Sequence, residues 1–201
     1  MPKVVDPAER REEVLEATWR LMARVGIDRV SIREIAAEAG YSTGVIAHYF
    51  KNKQDVLLSS LRLVNSQEIE RVAQSTKGLR GLAAARAAIA QMLPVGRERK
   101  LEMRVWMSFW GRAVGDARLA EIQRQSYGEW RSLLRGHFEA AVADGEVAAD
   151  LDCAGEAART TALIDGLAIQ AILEPDRMGA GKVVEIMESH LRSLRPASPV
   201  P

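Results

Sequence analysis

Five polar side chains lie close together between positions 42 and 53, and each of them can contact phosphate. They are Ser42, Thr43, His48, Tyr49 and Lys53. Hydroxyls beside a free helix N-terminus bind phosphate oxygens, and an imidazole, a phenol and an ammonium supply further donors or charge. This combination predicts a surface that contacts the backbone of DNA.

Two short helices joined by a tight turn would position these groups. Ser31 can cap the first helix, and Glu34, three residues later, completes a capping box. Gly40 tolerates the left-handed conformation that ends a helix, and Ser42 can open the next one. Apolar stripes at helical spacing follow in both segments: Ile32, Ile35, Ala36 and Ala39, then Val45, Ile46 and Tyr49. The pattern is typical of a helix-turn-helix, whose second helix enters the major groove.

The second helix begins with small residues, which let its backbone approach the groove floor. Ala47 offers a thymine methyl contact only, and Tyr41 is a large residue for the turn. The predicted DNA-binding residues are Ser31, Arg33, Ser42, Thr43, Gly44, His48, Tyr49 and Lys53. Helical hairpins with a glycine turn also occur in other all-α proteins, so an adaptor whose hairpin binds protein is the alternative.

The same stretch resembles the DNA-binding domain of the TetR family of bacterial transcriptional regulators. The likeness is carried by Ser42-Thr43-Gly44, His48-Tyr49-Phe50 and Lys53, by residues 30–36 and 55–58 around them, and by the segment 11–26 before them. Farther along, residues 106–110 and 163–167 look most like BetI-type choline-responsive repressors. The resemblance implies a homodimer that binds a palindromic operator and a second domain that binds a small-molecule effector.

Composition predicts an all-α fold. Hydrophobic residues make up 47% of the 201 residues, and alternation of β-branched residues is almost absent. We expect an N-terminal three-helix helix-turn-helix domain at 1–53, a larger helical ligand-binding and dimerisation domain at 54–195, and a disordered proline-rich tail at 196–201. The helix that begins near Lys53 would connect the two domains.

Several other classes of protein are disfavoured. The lone Cys153 cannot form an intramolecular disulfide or a cysteine metal cluster, and no apolar run reaches the length of a membrane span. His137 and His190 have no zinc partners at ligand spacing, and no catalytic motif is evident. We therefore expect a cytoplasmic protein that is not an enzyme and needs no cofactor or metal. Net charge, +1 overall, indicates little about partners.

One helical face carries the groups for a cation site. Glu102, Trp106 and Trp110 recur every fourth residue, so two indoles lie beside a carboxylate. Aromatic faces and a carboxylate hold a quaternary ammonium by cation–π and Coulomb attraction. The predicted effector-binding residues are Glu102, Trp106, Phe109, Trp110, Tyr127, Trp130 and Asp165. Choline or another cationic amine is one expected effector, and a larger apolar or aromatic ligand is the other. The alternative for each aromatic is an ordinary core position.

Small residues recur every fourth position along the penultimate helix, from Ala154 to Gly166, which allows close approach of another helix. The resemblance implies that this helix and the last one form a four-helix dimer interface. The predicted interface residues are Ala158, Ala162, Leu163, Gly166, Leu167, Gln170, Val183, Ile186, Met187 and His190. The alternative is that these stripes face the protein's own core, as part of each must.

The sequence as a whole predicts a ligand-responsive transcriptional repressor, released from its operator by the effector. An activator of the same family and a protein-binding adaptor are the remaining alternatives.

Overall fold

The computed structural model describes residues 6–196, and helices joined by short loops make up most of that range. The helices are α1 (Pro7–Val25), α2 (Ile32–Ala39), α3 (Thr43–Tyr49), α4 (Lys53–Thr76), α5 (Gly81–Met92), α6 (Arg97–Ala113), α7 (Ala117–Ala143), α8 (Cys153–Leu173) and α9 (Ala180–Ser193). A 3₁₀ turn, Ile27–Arg29, follows α1, and this range contains no strand. The all-α prediction is confirmed. Beyond Pro196, the predicted disordered tail lies outside the described residues.

Side-chain caps begin many of these helices. Asp6, Ser31, Asn52, Asp116 and Asp152 each accept a hydrogen bond from a backbone N–H two or three residues ahead. Each cap satisfies a backbone donor that has no partner within the helix. The starts of α1, α2, α4, α7 and α8 are therefore specified locally in the sequence, and the starts predicted for α2, after Ser31, and for α4, near Lys53, are confirmed.

One hydrophobic cluster, here called the N-terminal core, joins α1–α3 to the first half of α4 and the second half of α6. Its members include Val14, Ile35, Ile46, Phe50, Val56, Leu57, Leu61, Val105, Trp106 and Phe109. Because the cluster takes in α4 residues beyond position 53, the domain boundary at 53–54 stays a prediction from the sequence.

A second cluster, the C-terminal core, is built from the end of α4 and from α5, α7, α8 and α9. Its members include Val72, Ile89, Trp130, Leu134, Phe138, Ile164, Leu167, Val183, Met187 and Leu191. Helix α4 contributes to both clusters, at Leu57 and at Val72. It is therefore a continuous structural connection between the two halves of the chain.

Membrane-spanning helices and metal-binding clusters are both absent from the part of the chain described. None of its helices is both long and apolar enough to cross a membrane. Between residues 6 and 196, no three His, Cys, Asp or Glu side chains gather closely enough to hold a metal ion.

Candidate functional site

The helix-turn-helix forms as its capping residues predict. The Ser31 backbone N–H donates to Glu34 Oε2 at 2.9 Å, and the Ser31 hydroxyl accepts from the Glu34 backbone N–H at 3.3 Å. Gly40 ends α2 with φ of +73°, a left-handed conformation that costs glycine little. The Ser42 hydroxyl then accepts from Val45 N at 3.3 Å and opens α3. The caps and the glycine stop that shape the turn are therefore local to it.

The predicted DNA-binding residues lie at the surface to different degrees. Arg33, Ser42, Thr43, Gly44 and His48 are exposed, whereas the other three are partly buried: Ser31, Tyr49 and Lys53. On the opposite side of α3, Ile46 and the following Phe50 are buried in the N-terminal core. One face of α3 is therefore anchored, and its N-terminal face is free to meet a partner.

Ser31 differs from the others because its hydroxyl is already engaged. It donates to Glu34 Oε2 at 2.7 Å while accepting from the Glu34 backbone. The hydrogen bond from this hydroxyl is the main reason why the pKa of Glu34 lies below its usual value. Ser31 thus holds α2 in place, and its own capacity to contact phosphate is reduced.

Tyr41, the large residue in the turn, is tied back to α1. Its phenol donates a hydrogen bond to Glu13, and the Arg10 guanidinium lies 5.6 Å from the centre of its ring. A neighbouring pair, Arg24 Nη2 and Glu38 Oε2, joins α1 to α2 at 2.6 Å. Both contacts join α1 to the helix-turn-helix, at Glu13 and at Arg24.

A cavity with a mostly apolar lining lies between α4, α5, α6, α7 and α8. It holds about 670 Å³ of space free of protein atoms, its opening to solvent included. Six of the seven predicted effector-binding residues line it: Glu102, Trp106, Trp110, Tyr127, Trp130 and Asp165. Phe109 does not. Its side chain is completely buried in the N-terminal core, because it points to the other side of α6.

Glu102 has its charge balanced inside the protein. Its Oε2 lies 2.8 Å from Arg99 Nη1 and 3.2 Å from Arg71 Nη2. Two guanidinium groups on one carboxylate leave little net negative charge to attract a ligand. The carboxylate that the sequence singled out is therefore already paired.

A second carboxylate in the cavity, Glu68 of α4, was missed by the sequence reasoning. Its Oε1 accepts a hydrogen bond from Trp106 Nε1 at 3.0 Å, and the nearest guanidinium, Arg71, is 4.0 Å away. Burial raises the pKa of Glu68 to about 7, and the charge of Glu102 acts in the same direction. The signal was present, because Glu68 lies midway between buried Val64 and Val72 at a spacing of four residues.

Asp165, on α8, supplies the third carboxylate of the cavity. Its Oδ2 accepts a hydrogen bond from the Tyr127 hydroxyl at 2.7 Å. Burial raises the pKa of Asp165, although the hydrogen bond opposes the shift. The Tyr127 ring lies 6.4 Å from the Trp110 ring with the planes at 31°, so aromatic faces and carboxylates border the same space.

The predicted dimer residues differ in how far they are exposed. Ala158, Ala162 and Gln170 are exposed, and three others are partly buried: Leu163, Gly166 and Ile186. Three more are buried in the C-terminal core of their own chain: Leu167, Val183 and Met187. The last, His190, turns inward, with its Nε2 lying 2.9 Å from Thr160 Oγ1 and 3.0 Å from Glu156 Oε1. Exposed apolar side chains that the sequence reasoning did not name lie on the same two helices: Ile169, Leu173 and Val184.

Two family models match the chain, and together they cover most of it. Residues 14–59 match the model for bacterial regulatory proteins of the tetR family, and residues 82–196 match the model for the C-terminal part of BetI-type transcriptional repressors. The first range contains the whole helix-turn-helix, and the second contains most of the cavity wall.

Curated relatives are similar over nearly their full length. The regulator PksA of Bacillus subtilis is 29% identical across 96% of this chain and 94% of its own. The regulator BetI of Vibrio campbellii is 30% identical across 95% of this chain and 94% of its own.

Solved structures show the same fold. A transcriptional regulator from Rhodococcus has a TM-score of 0.81 at 26% identity, covering 94% of this chain and 99% of its own. A transcriptional regulator from Saccharomonospora viridis, in complex with choline, has a TM-score of 0.81 at 28% identity, covering 92% and 95%. With its helix-turn-helix and its BetI-type C-terminal region, the chain belongs to the TetR family of DNA-binding transcriptional regulators.

Proposed function

We propose that this regulator is a dimeric, cytoplasmic repressor without enzymatic activity that leaves a palindromic operator when a small cationic amine enters the cavity. The observation that carries this proposal is the position of Glu68. It lines the cavity, and it belongs to α4, whose first residue, Lys53, follows the recognition helix α3 after three residues. One rigid helix therefore carries a cavity carboxylate and a predicted phosphate contact.

Choline, or a cation like it, is the effector class that the cavity chemistry supports best. Trp106, Trp110 and Tyr127 provide aromatic faces, and each cation–π contact contributes about 0.5–2 kcal/mol. Because Glu102 is paired with two arginines, Glu68 and Asp165 are the carboxylates available to a cation. The choline complex of the Saccharomonospora relative supports the same class.

Coupling to DNA would run through Glu68 and Trp106. A cation that draws the Glu68 carboxylate toward itself weakens the hydrogen bond that this carboxylate accepts from Trp106. The Trp106 ring also packs against the ring of Trp19 in α1, with 6.1 Å between the two ring centroids. A shift of Glu68 would move α4 relative to α3, and a shift of Trp106 would move α1 relative to α3. Linkage requires that DNA weakens effector binding by the same factor by which the effector weakens DNA binding.

A dimer would place two α3 helices about 34–36 Å apart, one turn of DNA, over a palindrome. The exposed Ala158, Ala162, Ile169 and Leu173 give α8 an outward face for this contact. Ala162→Glu should convert the dimer to a monomer in analytical ultracentrifugation, since a charge would be buried against its symmetry copy. The control is Ala83→Glu, at an exposed position on α5, which should stay dimeric.

A mobility-shift titration tests the repressor proposal directly. The protein should retard DNA from its own promoter region, and millimolar choline should release it, while sodium chloride at equal ionic strength should not. Failure to bind that DNA with or without choline would refute the proposal and favour the protein-binding adaptor. Release by apolar or aromatic compounds but not by choline would show that the effector is apolar or aromatic and not a cationic amine.

In vitro transcription separates repressor from activator. Adding the protein should lower transcript from the bound promoter, and choline should restore it. A transcript that rises with the protein would identify an activator.

A further inference from the structure

The exposed face of α3 carries few hydrogen-bonding side chains. Thr43, Gly44, Ala47 and His48 are exposed, and their spacing places them on one face of the helix, away from the buried Ile46. In a helix-turn-helix this face enters the major groove. Only Thr43 and His48 have polar side chains there, whereas Gly44 and Ala47 offer no donor or acceptor beyond the backbone.

The side chains that best discriminate guanine and adenine are missing from α3. Arg or Lys reads guanine in the major groove, and Asn or Gln reads adenine, each through a pair of hydrogen bonds. Helix α3 contains none of these four residue types. The next amide along the chain, Asn52, lies beyond the helix, and its Oδ1 already accepts from the Asp55 backbone N–H at 3.0 Å. Base recognition by α3 therefore depends on other contacts.

Positive charge lies in the segments before and after α3. Arg33 of α2 and Lys51, which follows α3, are both exposed. Two carboxylates in the same segments are occupied, because Glu34 accepts from the Ser31 backbone N–H at 2.9 Å and Asp55 accepts from the Lys51 backbone N–H at 2.9 Å. Cations on both sides can therefore hold α3 against the DNA backbone, which leaves its exposed face to meet the bases.

Two methyl groups on that face are available for base contact, at Ala47 and Thr43. The two residues are about 6 Å apart along the helix axis, close to the rise of two base pairs. A Cβ at Gly44, which lies next to Thr43, would meet only Ser42 Oγ, at 3.6 Å, so the protein's own packing leaves this position open. A bare position lets the helix backbone approach the base pairs closely enough for short side chains to reach them.

We infer that α3 reads thymine methyl groups through Ala47 and Thr43, so that each operator half-site carries T·A pairs at two positions about two base pairs apart. Thymine is the base that presents a methyl group in the major groove, and a protein methyl packs against it. The inference rests on the proposed function, because it requires operator binding, and it adds the base that the recognition helix selects. The Thr43 hydroxyl keeps its predicted phosphate contact.

The exchange of thymine for uracil tests the inference, because the two bases differ only by this methyl. A promoter fragment amplified with dUTP in place of dTTP lacks the methyls between its primers but keeps its base pairs. The native protein should bind the thymine fragment at least about tenfold more tightly than the uracil fragment, at about fourfold for each buried methyl contact. Equal affinity in fluorescence anisotropy would overturn the inference and leave the proposed function intact.

Variants assign the preference to the two residues. Ala47→Gly and Thr43→Ser each remove one methyl, and each should lower the ratio of thymine-fragment affinity to uracil-fragment affinity by about fourfold or more. Thr43→Val keeps the methyl and loses the hydroxyl, so it should weaken binding to both fragments and preserve the ratio. A native ratio in Ala47→Gly or in Thr43→Ser would overturn the role of that residue.

The matched control is Ala37→Gly. Ala37 is an exposed alanine within α2, so its replacement weakens a helix of the same motif without removing a methyl from α3. This control should leave the ratio of the two affinities unchanged. An equal fall of the ratio in Ala37→Gly and Ala47→Gly would show that the preference follows helix stability and not contact, and would overturn the assignment.

Selection from a random pool of duplexes separates this inference from the proposed function. The native protein should enrich DNA with two thymines at this spacing in each half-site. If it enriches such DNA but does not bind its own promoter region, the repressor proposal fails and the methyl contacts stand. Enriched half-sites without these thymines would overturn the inference, and enrichment of no sequence would refute both.

Discussion

The helix-turn-helix and the cavity use similar side chains under opposite conditions. Ser31–Lys53 forms its turn from neighbours in the chain, and its predicted contacts are mostly at the surface. The cavity brings together Glu68, Trp106, Tyr127 and Asp165 from four helices, and most of their polar atoms are buried and paired. At the turn, the chemistry of a group follows from its position in the chain, whereas in the cavity it follows from the partners that surround the group.

Glu68 and Glu102 illustrate this dependence on neighbouring partners. Both line the cavity and are about equally buried, with side-chain exposures of 16% and 13%. Glu102 is held between two arginines, and Glu68 accepts from an indole and has a raised pKa. Partners, and not residue type or burial, separate a structural carboxylate from one that can respond to a ligand.

The largest expected effect is at the start of α3. Thr43→Glu should weaken operator binding by about 100-fold or more, because two new carboxylates per dimer would face DNA phosphates. Folding should be preserved, since an acidic side chain in the first turn of a helix is favourable to its dipole. Fluorescence anisotropy with operator DNA and circular dichroism measure the two quantities.

A matched control for that variant is Ala117→Glu. Ala117 is likewise the exposed first residue of its helix, α7, so the charge and the helix position are the same. It should bind operator normally. Equal loss in both variants would mean that net charge, not contact at α3, is being measured.

The pH dependence of effector binding tests the role of Glu68 in the cavity. A cation favours ionised Glu68, whose pKa is about 7 in the free protein, so binding must expel a proton below that pH. Choline affinity should rise about tenfold from pH 6 to pH 8 and level off above. Glu68→Gln should bind choline more weakly and with a flat profile. A native protein with equal affinity at both pH values would contradict the role given to Glu68.

Neutralising the two cavity glutamates should change stability in opposite directions. Burial raises the pKa of Glu68, so its charged form is penalised in the folded state, with a penalty that grows above pH 4.5 and is complete above about 7. Glu68→Gln should therefore raise the melting temperature at pH 8 but scarcely at pH 5. Glu102→Gln should lower it by about 3–8 °C, because Arg71 and Arg99 lose their partner. Shifts of the same sign would refute the distinction between the two.

The smallest effects concern backbone conformation. Gly40→Ala should cost about 1 kcal/mol, because φ of +73° strains a Cβ that otherwise meets open space. Gly136→Ala, in the middle of α7, should instead stabilise by about 0.5–1 kcal/mol, since its Cβ also meets nothing within 4 Å and the helix favours alanine. Chemical denaturation of both variants checks the signs. Destabilisation by Gly136→Ala would point to an unseen packing role.

Much of the fold was predictable because its signals are local. Caps at Ser31, Asn52 and Asp152 and the stop at Gly40 mark helix ends within four residues of chain. The positions of the two helices of the turn followed from Ser31, Gly40 and Ser42, and the fold class followed from composition. The large Tyr41 was noticed from sequence, yet its contact with Glu13 required the three-dimensional arrangement.

The cavity was only partly predictable, because helical spacing shows which residues share a helix face but not which other helices that face contacts. Helical spacing placed Trp106 and Trp110 together, and both line the cavity. The same reasoning included Phe109, which is one residue away and points into the N-terminal core. It also assigned His190 to the dimer interface, whereas in the structure the His190 ring lies against Glu156 and Thr160 of its own chain. The ion pair of Glu102 with Arg71 crosses 31 residues, so no local pattern reveals it. Only the pair with Arg99, three residues away on the same helix, has a local signal.

The length of α4 has a mechanical consequence. Glu68 lies about 22 Å along the helix axis from Lys53, at a rise of 1.5 Å per residue. Treated as a stiff rod, α4 would swing its Lys53 end by about 2 Å for a rotation of about 5° around the cavity. A displacement of that size exceeds the tolerance of a hydrogen bond to phosphate, so under the proposed function a sub-ångström adjustment near Glu68 would be amplified into a change that DNA can sense.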